Sequence, residues 1–102
     1  MAIRVNIREE ESAKVLTISV IGRFDLNSYG EFSAAYKDNL EGTTRVVLDM
    51  SELEYLDSSA LGMLLMLRER AGGAAVEIAN CTPAVFKILS TVKFDKLFTV
   101  RQ

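Results

Sequence analysis

The sequence predicts an α/β domain: a mixed, mostly parallel sheet with an N-terminal antiparallel hairpin and helices mainly on one face. Three observations carry this. Ile3, Val5 and Ile7 alternate with Arg4, Asn6 and Arg8, and Leu16, Ile18 and Val20 alternate with Thr17 and Ser19, the period-2 pattern of two strands. Beyond them, strand-like and helix-like segments alternate, which implies parallel pairs joined by right-handed crossovers. The strands mostly show one apolar face, which fits helices on a single side better than a doubly wound sheet.

Taken in order, the first two strands are joined by a polar turn at Glu9-Glu10-Glu11-Ser12, which makes them an antiparallel hairpin with the first strand at the edge. Gly22 to Asn27 breaks the pattern. Tyr29, Phe32, Tyr36 and Leu40 then recur at helical spacing, with Asn27 or Ser28 as the expected cap and Gly42 as the expected stop. Arg45 to Met50 is the third strand, and Ala60 to Ala71 the second helix, closed by Gly72-Gly73. Val76 and Ile78 mark a fourth strand. Thr82-Pro83 opens a third helix, because threonine caps and proline fits the first helical position. Its expected buried stripe is Val85, Ile88 and Leu89. Phe94, Leu97, Phe98 and Val100 form an apolar tail, expected as a last short strand or packed turn. The order is β-β-α-β-α-β-α-β, one domain over residues 1–102 with no linker or repeat.

Composition narrows function by exclusion. The chain has no histidine, so the commonest general base and metal ligand is missing. No glycine-rich phosphate loop, metal-spaced cysteine pair or Ser-x-x-Lys arrangement occurs, so neither an enzyme nor a metal or cofactor site is expected. A net charge of −2 with interspersed signs argues against nucleic-acid binding. The longest apolar run, Ala60 to Leu67, is too short to insert across a membrane, and the start alternates like a strand rather than forming a signal segment. The single cysteine, Cys81, suits a reducing cytoplasm and is expected in the core.

The segment Leu56-Asp57-Ser58-Ser59-Ala60-Leu61-Gly62 carries the functional signal. It places two serines and an aspartate where a strand has ended and an apolar helix begins. A helix N-terminus offers free backbone N–H groups and the positive end of the dipole. A phosphate there brings about −1.5 to −2 charges to a small patch. Two roles are open for these serines, helix cap and phosphorylation switch, and they can coexist. The helix also has more apolar surface than one stripe needs. Leu61, Leu64, Leu65 and Arg68 follow one face, while Met63, Met66 and Arg70 lie on another beside Gly62. A methionine-bearing face is either a docking surface or covered by neighbouring elements.

This layout resembles the STAS domain of bacterial anti-sigma factor antagonists. The likeness rests on Gly22-Arg23-Phe24-Asp25, on Asp57-Ser58-Ser59-Ala60-Leu61-Gly62, and on Asn80-Cys81-Thr82-Pro83-Ala84-Val85, and it spans essentially the whole chain. The resemblance implies that Ser58 is phosphorylated by a cognate anti-sigma factor with serine kinase activity. The unmodified protein then binds that kinase, the phosphorylated protein releases it, and a cognate phosphatase resets the cycle. Asp57, Ser59 and Asp25 are implied as the neighbourhood of the phosphosite, and Ala60, Gly62, Met63 and Met66 are the expected partner-binding residues. Two departures stand out: many members have glycine where this chain has Ala60, and many continue past the position of Gln102 into a further helix. The competing expectation is a STAS-like structural subunit of a bacterial lipid-transport ATPase complex, in which Ser58 is only a cap. Nucleotide binding is a weak third, since no phosphate cradle or catalytic base is evident.

Overall fold

A computed structural model describes residues 2–10 and 13–102. The tip of the expected first turn, at Glu11-Ser12, lies outside the described residues. Around it, β1 (Ala2–Glu10) and β2 (Ala13–Phe24) pair antiparallel with Val5 opposite Ile18 and Ile7 opposite Leu16. β3 (Thr43–Asp49), β5 (Ala75–Ala79) and β6 (Thr99–Val100) continue the sheet in parallel, in the order β1-β2-β3-β5-β6. Three helices, α1 (Tyr29–Lys37), α2 (Ser58–Ala71) and α3 (Pro83–Thr91), alternate with the parallel strands.

One element escapes the sequence pattern. β4 (Leu53–Leu56) pairs in parallel with the far end of β2. Its burial runs buried-exposed-exposed-buried, with Leu53 and Leu56 inside, so it has no period-2 signature. β2 is correspondingly longer than its alternating core suggests: its first half pairs with β3, then its last three residues pair with β4. The change of partner falls between Ser19 and Gly22, and the new pairing carries a bulge between Gly22 and Arg23. Gly22 sits there at φ +86°, a conformation that side-chain-bearing residues resist, which is why glycine occupies the break.

All three helices pack on one face. Leu16, Ile18, Val20, Val46, Leu48, Met50, Val76 and Ile78 share a single apolar cluster with Phe32, Tyr36, Leu64, Leu67, Val85 and Leu89. Three expected core residues are displaced to the surface: Tyr29 at the start of α1, Ile88 on α3 and Leu97 in the tail. α1 and α3 are short and open to solvent on one side, so the buried stripes narrow to Phe32, Ala35 and Tyr36 on α1 and to Val85 and Leu89 on α3. α1 ends at Lys37, before Leu40, and Gly42 lies in the turn into β3. Gly72 closes α2 at φ +61°, and Thr82 caps α3 by accepting from the Val85 N–H at 3.3 Å, with Pro83 at its first position. The tail forms a 3-10 turn (Phe94–Lys96) and then β6. Cys81 is buried, and burial pushes its thiol pKa up.

The opposite face of the sheet carries a polar network. Glu77 on β5 accepts from Arg45 Nε and, at 3.1 Å, from Arg45 Nη2, and lies 3.1 Å from Arg101 Nη2. The Arg45 bonds hold the Glu77 carboxyl below its ordinary pKa, against the opposing effect of burial. A folded-state pKa below the unfolded value of about 4.3 means the stabilisation is fully present above that value. It is lost as pH falls through the folded pKa. The urea midpoint of the wild type is therefore expected to fall more steeply than that of Glu77→Gln as pH drops below about 4.3. Parallel acid titrations of the two proteins, followed by circular dichroism, check this.

Candidate functional site

Two helical segments begin side by side because their strands end side by side. Phe24 and Leu56 are register partners at the ends of β2 and β4, and the Asp57 N–H donates to the Phe24 carbonyl at 3.3 Å. Asp25 and Asp57 follow directly, and both cap. Asp57, in extended conformation, is the N-cap of α2: its Oδ1 accepts from the Ala60 N–H at 3.1 Å. Asp25 accepts from the Asn27 N–H at 3.1 Å, while its own N–H donates to Ser28 Oγ, closing a capping box over the 3-10 turn (Leu26–Ser28) that leads into α1.

At α2 the cap is thus Asp57 and not the serines that the sequence suggested, while Ser28 holds the N-cap position of α1, as expected, without making a capping bond. Ser28 instead buries its hydroxyl and donates to the Arg23 carbonyl at 3.3 Å. Ser58 and Ser59 occupy the first two positions of α2, with Ser58 exposed and Ser59 partly so. No side chain among the described residues hydrogen-bonds the Ser58 hydroxyl. With the capping oxygen on Asp57, Ser58 is free to carry a group outward, beside two N–H groups of the first turn that have no helical partner.

The electrostatics around this point are mixed. Asp25 and Asp57 are the nearest acids by register, and Arg23 is occupied: its guanidinium lies 4.1 Å from the Tyr55 ring centroid and 3.7 Å from Asp25 Oδ2. Among the described residues, no ion pair or hydrogen bond brings an arginine to Ser58. A charge added there projects from the surface toward whatever covers it.

The structure divides the four expected contact residues of α2. Ala60 is 0% exposed and Met63 5%, both in the core cluster, so neither side chain is presented at the surface as the sequence reading expected. Gly62 and Met66 face outward, joined by Leu65, which the sequence reading grouped with Leu64 on one face and which is 41% exposed. The reason is the helical angle: Ala60, Met63, Leu64 and Leu67 form the buried stripe, and Leu65 falls outside it. A methyl group built on Gly62 would meet nothing within 4 Å, so no internal packing demands glycine there. Leu26, 70% exposed on the turn before α1, is a further apolar surface residue at this end, missed because it sits in a broken pattern.

Removing the Asp57 cap is expected to cost about 1 kcal/mol in Asp57→Ala, with most of it retained in Asp57→Asn. That corresponds to a fall of about 4–8 °C in melting temperature, measurable by differential scanning calorimetry. Equal melting of Asp57→Ala and wild type would show that the cap is dispensable.

A family model described as "Mlab, STAS domain" matches residues 7–100. The chain belongs to the STAS domain family. A STAS-domain-containing protein of Pseudomonas aeruginosa strain UCBPP-PA14 is 47% identical over 87 residues, covering 83% of this chain and 86% of that protein. Among solved structures, this STAS domain resembles an anti-sigma factor antagonist from Mycobacterium paratuberculosis, at 20% identity and TM-score 0.76 over 98% of this chain and 86% of that one. It also resembles the Bacillus cell fate determinant SpoIIAA in its phosphorylated form, at 18% identity and TM-score 0.69 over 99% of this chain and 92% of that one. At such identities the likeness is one of fold. Among the described residues, no helix is long and apolar enough to cross a membrane.

Proposed function

We propose that this STAS domain, acting as one unit over residues 1–102, is a phosphorylation-controlled anti-sigma factor antagonist. With Ser58 unmodified it binds a cognate anti-sigma factor with serine kinase activity. Phosphorylation of Ser58 by that kinase releases it, and a cognate phosphatase restores binding. The protein itself performs no catalysis and acts in the cytoplasm. The observation that carries this reading is the exposed Ser58 hydroxyl, left without a bond at the start of α2 because Asp57 supplies the cap. Support comes from the exposed apolar residues Leu65 and Met66 beside Gly62 on the same helix, and from the shared fold with the antagonists above. Asp57 and Ser59 shape the helix start, and Asp25 holds the neighbouring turn. A phosphate at this point sets about −1.5 to −2 charges in the path of the partner, where Arg23 is already engaged by Asp25 and Tyr55.

The exposed apolar pair Leu65 and Met66 also suits a second reading, a permanently docked STAS-like subunit of a bacterial lipid-transport ATPase complex. There the Leu65/Met66 face holds the ATPase and Ser58 has no switching role. Affinity capture from host lysate with wild type, Ser58→Ala and Ser58→Asp separates the two. A kinase-like protein kept by wild type and Ser58→Ala but lost by Ser58→Asp supports the switch. A membrane ATPase recovered equally by all three replaces it with the second reading.

A further inference from the structure

A groove of about 430 Å³ runs between α1 and α2, lined by Tyr29, Ser33, Tyr36 and Lys37 on one side and by Met66 and Arg70 on the other, with Leu40 at its end. From Tyr29 to Lys37 it follows about 12 Å of α1, a little over two helical turns. Its floor is apolar and aromatic, yet its far end is rich in donors. Lys37 and Arg70 form no ion pair among the described residues, the Tyr36 hydroxyl has no hydrogen-bond partner there, and no carboxylate lines the groove. Arg70 lies close enough to Tyr36 for its charge to oppose the rise that burial gives the phenol pKa. Two cations and a phenol with nothing to donate to, beside an apolar trough of helical width, specify the chemistry of what fills it.

We propose that this groove docks an acidic amphipathic helix of the binding partner, its apolar residues on Tyr29 and Met66 and a carboxylate against Lys37 and Arg70. The proposal rests on the partner-switching reading for the existence of that partner, but it names a second contact. Met66 and Arg70 lie eight and twelve residues along α2 from Ser58, about 12 and 18 Å away. That exceeds the screening length of about 8 Å at physiological salt, so groove and switch contribute separately.

The test uses the full chain carrying a photo-crosslinking residue at Ser33, incubated with host lysate and illuminated, with cross-linked peptides sequenced by mass spectrometry. A segment with apolar residues at helical spacing and a net negative charge is expected. Capture is expected to fall at least tenfold in Lys37→Glu/Arg70→Glu, to recover in Lys37→Arg/Arg70→Lys, and to combine multiplicatively with Ser58→Asp. Both groove residues are exposed, so melting within a few degrees of wild type is expected to show that the variants fold. Ser58-dependent capture that ignores the charge reversal, or a cross-linked segment that is basic or aperiodic, overturns the groove and leaves the switch standing. Capture lost on charge reversal but equal for Ser58→Ala and Ser58→Asp supports the groove and overturns the switch. A wild-type chain that captures nothing overturns both.

Discussion

Ser58→Asp is expected to weaken binding of the partner roughly a hundredfold relative to Ser58→Ala, about 3 kcal/mol, while melting within a few degrees of it. The two halves of this result have separate causes. Binding suffers because a carboxylate at the first position of α2 would face the partner, and Arg23 is already engaged by Tyr55 and Asp25. Folding is spared because the Ser58 side chain makes no bond that the substitution removes, and a negative charge near a helix N-terminus is mildly favourable. Titration calorimetry on the captured partner measures the first and calorimetric melting the second. Equal affinities for the two variants would reduce Ser58 to an ordinary first-turn residue.

Phe24→Ala is expected to give the largest loss of stability, about 3–5 kcal/mol. Phe24 is fully buried, its ring is 4.8 Å from that of Phe32, and Phe32 in turn meets Tyr36 at 5.6 Å. Truncation opens a cavity at the head of this aromatic row, beneath the turn that starts α1. Against a total stability typically of about 5–15 kcal/mol, that fraction is visible as a large drop in urea midpoint. Phe24→Leu, which refills most of the space, is expected to lose clearly less. Similar midpoints for Phe24→Ala and wild type would mean that the row is not a cornerstone of the core.

Much of this was readable from the residues. The hairpin, β3, α2 and α3 followed from period and caps, because each buries one continuous face. The helix start at Asp57-Ser58 was legible too, but the capping role passed to the aspartates, since which of several adjacent oxygens reaches an N–H depends on backbone angles that composition does not record. β4 was hidden because four residues with only their ends buried have no period. The division of α2 into Ala60/Met63 inside and Gly62/Leu65/Met66 outside depended on the rotation of a helix that is apolar almost all round. Nothing in the sequence brought Lys37 and Arg70 to one groove, for they lie on different helices 33 positions apart (70 − 37).

The dual pairing of β2 bears on how information passes through the protein. Over residues 14–19 this strand is bonded on both sides, to β1 and to β3, and its last three residues grip β4 just before both capping aspartates. Residues 14–19 are therefore the part of β2 expected to exchange their amide hydrogens last, near the rate of global unfolding, and the strand end beneath Ser58 runs directly out of them. Under the proposed switch, a phosphate on Ser58 sits where two paired strand ends lead straight into their helical segments. It is read as a change of surface charge on a rigid mount, and the bound and released states of the domain are expected to share one backbone.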